Sequence, residues 1–477
     1  MDDAKKGLLN GTIVYFIGQA LISLIQLLLL PFITGKLEPE AYGYFDLIIS
    51  TSNLIFPFIT LQIIEAIFAY FFKANEQEKK SYFTVTVLVL FLGILMLSIG
   101  LIAFNFLVKP IEHLILVALY LISNLVLMLY TKMARCLNKN IDYVISNFIK
   151  AVFYIVFQLV FLYVFNMKVE SLFLSNILSI IICIIILEFK IKLIPLFEYK
   201  KFDNAKLRQL LKFSIPLVPN VLFWWFLSSF NTYVISFKLG LSTNGIYTVA
   251  NKFSGILTMV TSVILMSWQE SAIKEYELGK KTNFFNEVTN QFIIIVLSAI
   301  AILIPFIKIV MPFMINKAYY DSIIYAPILV LGVGISSFNS FYSSMYAATK
   351  RTAGIMYTTI HGVIINALIV FLLIDKIGLF APAIAVICSN TVIAIIRHYT
   401  FKKQLQLRIK IVPILALIFL LFANTYIYYR GNLILFIISF AVDATVALIL
   451  NKKLIFSMLR LVLSKFRKYN KRGIYSG

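Results

Sequence analysis

The sequence predicts an all-α, polytopic membrane protein of about 14 transmembrane helices, arranged as two pseudo-symmetric six-helix lobes plus two C-terminal helices. Three observations carry that prediction. First, hydrophobic residues make up 61% of the 477, charged residues only 13%, and the mean hydropathy is +0.92. A soluble chain of this length buries far less apolar surface, so most of it must face lipid or neighbouring membrane helices. Second, apolar runs long enough to cross a ~30 Å hydrocarbon core recur along the whole chain. Third, the basic residues collect on alternate loops.

The runs lie near residues 8–33, 43–72, 83–107, 112–135, 142–166, 169–188, 210–237, 244–271, 286–315, 322–348, 353–374, 378–400, 411–428 and 432–450. Lys5 and Lys6 precede the first, which is too long for a signal peptide and lacks a small-residue cleavage site, so it reads as an uncleaved span. The connections are short and hold no soluble domain. The longest, from 189 to 209, is charged and joins runs six and seven. Leu241, Ser242, Thr243, Asn244 and Gly245 read as a turn between runs seven and eight.

With the N-terminus in the cytoplasm, cytoplasmic segments hold about 33 basic residues and outer loops about 7. That asymmetry places both termini inside and makes the number of spans even. The basic tail after residue 452 reads as an anchor on anionic headgroups. The net charge of +22 sits at the ends of apolar runs rather than on one face, which argues against nucleic acid as a partner.

An internal repeat sets the domain plan. LPFITGKLEPEAYGYF (30–45) and TYVISFKLGLSTNGIY (232–247) align without a gap. Lys36 falls on Lys238, Gly43 on Gly245 and Phe45 on Tyr247, an offset of 202 residues or six spans. Six is even, so the halves run parallel, a plan known among transporters with a site between lobes. The expected divisions are an N-lobe (1–188), a linker (189–209), a C-lobe (210–403) and two further helices with a basic tail (404–477).

Catalytic patterns are missing: there is no His/Cys/Asp/Glu ligand cluster and no glycine-rich phosphate loop, and so no catalytic or metal site is expected. Cys136, Cys183 and Cys388 have no ligand spacing and read as small core residues. Charges inside spans are the better leads, because each costs several kcal/mol in lipid unless it faces protein or water. Glu65 and Lys150 lie at similar depth in the first lobe, either as a structural ion pair or along a polar path. Lys252 lies inside run eight, with no acid at matching depth in runs seven and eight. Asp46 and Glu270 lie near span ends, and Asp443 stands outside the repeat. Trp224, Trp225 and Trp268 suit either an interfacial belt or stacking on sugar rings.

The chain also resembles a known family. AYGYFDLIIS (41–50), LLKFSIPLVPN (210–220), LGLSTNGIYTVANKF (239–253), MSWQESAIKEY (266–276), the spacing of Tyr319 and Tyr320 with Pro327, Leu331 and Gly332, and IGLFAPAIAVICS (377–389) carry the likeness. They resemble bacterial polysaccharide (oligosaccharide-lipid) flippases, in the superfamily that includes multidrug and toxin extrusion transporters. The resemblance implies a non-enzymatic, alternating-access carrier in the bacterial plasma membrane. Such a carrier moves an undecaprenyl-diphosphate-linked oligosaccharide to the outer leaflet, alongside polysaccharide polymerase and assembly proteins. It implies no cofactor beyond a coupling ion, H+ or Na+.

On that resemblance Lys150 and Lys252 are expected to attract the diphosphate, and Lys252 matches a family lysine. Asn231, Asn251, Gln269 and Trp268 are expected near the sugar path, and Glu65 and Glu270 are the candidates for ion coupling. Two departures remove charge: Ala69 precedes Tyr70 and Phe71 where relatives often carry Arg, and Asn231 and Thr232 stand where they often carry Asp-Arg. A drug or small-cation exporter of the same architecture is the alternative, although its cavity should carry acids rather than lysines. A membrane polymerase or ligase would need a sizeable reactive outer loop, which this chain lacks.

Overall fold

The computed structural model describes residues 27–72, 74–278, 283–349, 351 and 353–452. These residues form helices and turns, with no strand among them. The protein is a polytopic all-α membrane protein. Twelve described helices are long and apolar enough to cross a membrane, and a bent pair adds a thirteenth span. The first expected run, 8–33, lies mostly outside the described residues.

In chain order the helices are α1 (Leu30–Lys36), α2 (Pro39–Thr60), α3 (Ile63–Phe71), α4 (Glu76–Leu107), α5 (Leu114–Cys136), α6 (Asn140–Leu159), α7 (Val169–Ile191), α8 (Asn204–Ser214), α9 (Leu217–Ser228), α10 (Phe230–Lys238), α11 (Leu241–Glu277), α12 (Asn283–Met314), α13 (Ser322–Ala348), α14 (Ala353–Ile377), α15 (Phe380–Leu405), α16 (Ile411–Arg430) and α17 (Leu433–Lys452).

Local chemistry sets several of these boundaries. Pro39 opens α2 in the first turn, where a missing N–H costs nothing. Asn75 and Glu78 close a reciprocal capping box at the start of α4, each side chain accepting from the other's backbone N–H. Asp203 caps α8 by accepting from the Ala205 N–H at 2.7 Å.

Two expectations change. Run two is broken: α2 and α3 meet at 58°, across Leu61 and Gln62, which both have left-handed backbone (φ 46° and 55°). The Thr60 hydroxyl accepts from the Gln62 N–H at 3.2 Å, so a donor freed by the break is satisfied inside the chain. The turn expected at 241–245 is already helical. The chain reverses at Gly240 instead, with φ +92°, a conformation that side-chain-bearing residues rarely adopt.

The chain divides into two compact units that cut across the expected lobes. The first takes the described residues up to Val249 together with Ile315–Tyr320 and Val363–Pro382. One part of its core, built from α3, α4, α5, α7 and α8, packs Phe71, Phe83, Met133, Cys183, Leu187 and Leu210. The 189–209 linker is tied onto this part. Lys80 pairs with Glu198 at 2.7 Å, and Thr84 exchanges hydrogen bonds with the Glu198 backbone. The Lys80 ammonium holds the Glu198 carboxyl below its usual range.

The second unit comprises Ala250–Met314, Asp321–Gly362 and the described residues from Ala383 onward. The rings of Trp268, Phe341 and Phe292 stack in sequence, with both centroid spacings at 4.5 Å, joining α11, α13 and α12. α16 lies along α12, and Asn424 on α16 donates to the Ala301 carbonyl at 3.3 Å.

Candidate functional site

In hydrocarbon, every polar group needs a partner within the protein. The densest inter-helix set in the first unit lies along one stripe of α2. Gly43, Asp46 and Ser50 are spaced by three and four residues, so they share one helix face. Asn244 Nδ2 on α11 donates to the Gly43 carbonyl at 3.0 Å, and Thr232 Oγ1 on α10 donates to Asp46 Oδ2 at 3.3 Å. Trp225 Nε1 on α9 donates to the Ser50 carbonyl at 2.8 Å, and the Tyr233 hydroxyl donates to Thr51 Oγ1 at 2.6 Å. At the same end of the unit, the Tyr319 hydroxyl donates to the Leu37 carbonyl at 3.0 Å.

The closest approach in this set is between backbones. A methyl group on Gly43 would run into the Leu241 carbonyl oxygen and lie 2.7 Å from the Gly245 nitrogen. A methyl group on Gly245 would run into the Pro39 carbonyl oxygen and lie 2.7 Å from its carbon. Leu241 stands four residues before Gly245, as Pro39 does before Gly43. The aligned glycines of the repeat therefore meet face to face, each against the other's preceding turn. This is the self-complementary geometry of a two-fold contact, made here by two copies of one motif in a single chain. Only glycine permits it, because a Cβ would hold the helices apart.

The predicted residues fall in several places. Glu65, on α3, pairs with Lys132 of α5 at 2.6 Å rather than with Lys150. The Lys132 ammonium and the Arg135 guanidinium both lie near the Phe68 ring, at 5.2 and 5.3 Å. The Glu65–Lys150 pairing is thus replaced, because α5 brings a lysine within reach of α3. Lys150, on α6, is half-buried within electrostatic range of the buried Cys183. Asn231 is buried on α10, and its Oδ1 has no hydrogen-bond partner among the described residues. These three belong to the first unit.

Lys252, Asn251 and Gln269 lie on α11 in the second unit; Lys252 and Gln269 are exposed, and Asn251 is half-buried. Trp268 is 3% exposed, and its Nε1 donates to the Phe341 carbonyl at 3.0 Å. With both ring faces and its one donor engaged, it packs as a core residue and has no surface for a sugar. The Glu270 side chain falls outside the described residues. Among the described residues no His/Cys/Asp/Glu group is arranged to hold a metal.

In the second unit one cluster, around Arg397, escaped the sequence reading, and a second supplies partners to Asp443, the acid outside the repeat. Arg397 on α15 is 1% exposed, with no carboxylate partner among the described residues. Its guanidinium donates to Thr358, Thr359 and Ser343 hydroxyls and to the Asn339 and Ile355 carbonyls, at 2.6 to 3.2 Å. The hydroxyls at 358 and 359, four turns from any acid in sequence, were the available signal. Asp443 on α17 accepts from Asn424 Nδ2 at 2.8 Å and from Ser439, so this acid joins α17 to α16.

These features define a class: a multi-pass helical membrane protein whose internal repeat meets itself at a glycine crossing. Comparison with solved structures places its fold among transporters. The lipid II flippase MurJ, in an inward closed conformation, is 16% identical, with a TM-score of 0.73 over 94% of this chain and 100% of that one. An inward-facing multidrug resistance MATE family transporter of the MOP superfamily is 14% identical, with a TM-score of 0.65 over 81% and 94%. A MOP superfamily transporter from Pyrococcus furiosus is 15% identical, with a TM-score of 0.55 over 84% and 96%. Comparison with curated protein sequences gives no match. Residues 8–268 match the family described as polysaccharide biosynthesis protein, and the chain belongs to that family.

Proposed function

We propose that the protein is a flippase for undecaprenyl-diphosphate-linked oligosaccharide repeat units, carrying them from the cytoplasmic to the outer leaflet for capsule, O-antigen or exopolysaccharide assembly. The match of residues 8–268 to the polysaccharide biosynthesis family carries this reading. The parallel repeat supports a carrier in which two lobes rock about a substrate in alternating access. Lysines rather than acids at the candidate positions Lys150 and Lys252 suit an anionic cargo better than an organic cation.

Lys150 and Lys252 supply positive charge to the diphosphate, and Asn231, Asn251 and Gln269 supply hydrogen bonds to the sugars. The lipid tail stays in the bilayer. An H+ or Na+ gradient drives the cycle. Glu65 takes the coupling ion in competition with Lys132, so ion binding and release of that pair are linked. Both termini are cytoplasmic in the plasma membrane.

The test is deletion of the gene followed by complementation. Deletion should trap lipid-linked oligosaccharide on the cytoplasmic leaflet, scored by protection from an external glycosidase. Lys252→Ala should restore membrane insertion but leave glycan export at least tenfold down, about the effect of one lost charge-assisted contact. Full export by that variant at normal membrane abundance overturns the role of Lys252. Normal surface exposure of the lipid-linked glycan in the deletion strain overturns the flippase reading itself.

A further inference from the structure

The first unit carries an apolar pocket of about 360 Å³ that the transport reading does not use. Leu90, Phe91 and Ile94 of α4 form one wall, and Leu125 and Leu129 of α5 form the other. The turn after α7 roofs it with Leu193, Ile194 and Phe197. Almost no polar surface lines it. It is open at the side, where Phe91 is 57% and Ile194 68% exposed, so the surrounding medium reaches it.

The roof is held in place. The Glu188 carboxylate accepts from the Leu193 and Ile194 N–H groups at 3.0 and 3.2 Å and from the Tyr130 hydroxyl at 3.1 Å. Its oxygens are occupied by these donors. Lys190 and Lys192 follow this acid by two and four residues and are exposed. Among the described residues no carboxylate pairs with either. Two exposed cations therefore stand within three residues of the turn that roofs an apolar slot.

The dimensions select the occupant. The slot follows α4 from Phe83 to Ile94, about 16 Å at 1.5 Å per residue. That is close to half of a ~30 Å hydrocarbon core, the depth of one leaflet. It matches one phospholipid acyl chain and is too short for a long polyprenyl tail. Both lysines lie where α7 ends and the linker begins.

We propose that this slot holds an acyl chain of an anionic phospholipid whose headgroup phosphate is bound by Lys190 and Lys192. The occupant is a resident lipid of the bilayer rather than the transported cargo. It fastens the linker turn to α4 and α5. The proposal does not depend on the direction or substrate of transport.

Native mass spectrometry of the full chain, released from detergent with phosphatidylglycerol or phosphatidylcholine as probe, tests it. One phosphatidylglycerol should be retained per chain in preference to phosphatidylcholine. Lys190→Gln with Lys192→Gln should weaken phosphatidylglycerol retention about fivefold per lysine and leave phosphatidylcholine unchanged. Leu90→Trp should fill the slot and lower retention of both. Phe91→Trp keeps an exposed aromatic in place and should be quenched by acyl-brominated phosphatidylglycerol beyond the wild-type level, which decides occupancy even if Leu90→Trp fails to insert. Equal retention of the two lipids, an unchanged double lysine variant, or no added quenching at position 91 overturns the proposal. So does displacement of phosphatidylglycerol by equimolar undecaprenyl phosphate, which would assign the slot to the cargo's tail.

Discussion

Lys36 and Lys238 occupy the same place in the two copies of the repeat, yet they are held differently. Lys36 donates to the Asn166 side chain at 3.3 Å and lies 5.2 Å from the Tyr163 ring centre. Lys238 forms an ion pair with Asp375 at 3.1 Å. Asn166 follows α6, five helices after α1, and Asp375 lies in the last turn of α14. The partners around the two crossing helices diverge as well: Tyr42 aligns with Asn244, and Asp46 with Thr248. Gly43 and Gly245 alone are kept on both sides of the contact, each against the other's backbone. The difference teaches that the symmetry resides in the backbone approach. Side chains that decorate a contact can drift, whereas an approach without room for a Cβ tolerates one residue.

Breaking the crossing should have the largest effect. Gly43→Leu and Gly245→Leu each force backbones apart, at a cost of ~3 kcal/mol or more. Both should lower the midpoint of thermal unfolding in detergent, by similar amounts because the contact is reciprocal. A large drop for one and none for the other would show that the two sides are not equivalent. Asp46→Ala comes next. It removes the acceptor for Thr232 and orphans that hydroxyl, at ~1–2 kcal/mol. Thr248→Ala, its aligned counterpart, loses only a bond to the Asn244 carbonyl four residues back, and should be nearly silent in the same assay.

The smallest effect sharpens the comparison of the lysines. The side chains of Lys238 and Asp375 are 48% and 61% exposed, so Lys238→Ala should cost under ~1 kcal/mol. That cost should vanish at high salt, because an exposed pair is screened. Lys36→Ala, whose partner is neutral, should be insensitive to salt over the same range. An equal salt dependence for the two would mean that long-range charge, and not the local partner, sets their contribution.

Much of the fold was legible because a bilayer constrains sequence so strongly. A span must be apolar over about 20 residues, and this is visible without any tertiary knowledge. The repeat was legible too, since Gly43 and Gly245 stand in aligned strings. What they do was not: Gly245 reads as a turn residue by composition, while in the structure Gly240 makes the turn and Gly245 makes the contact. The break between α2 and α3 was only partly signalled: Pro57 lies four residues before it, but Leu61 and Gln62, where the backbone turns left-handed, carry no helix-breaking signature. Glu65 was recognised as a charge needing a partner, but the choice between Lys132 and Lys150 depends on which helix packs against α3. Trp268 read as either stacking surface or belt, and burial beneath Phe341 made it neither.

By itself, then, the sequence determined the membrane class, the approximate positions of most helices, the repeated motif and the family, because hydrophobicity and internal similarity are properties of a string. The tertiary structure decided which glycines touch, which acid meets which lysine, and which groups Arg397 and Asp443 meet as partners. Those outcomes depend on distances between segments far apart in the chain. In a medium without water, such distances decide whether a polar group is stable where it lies.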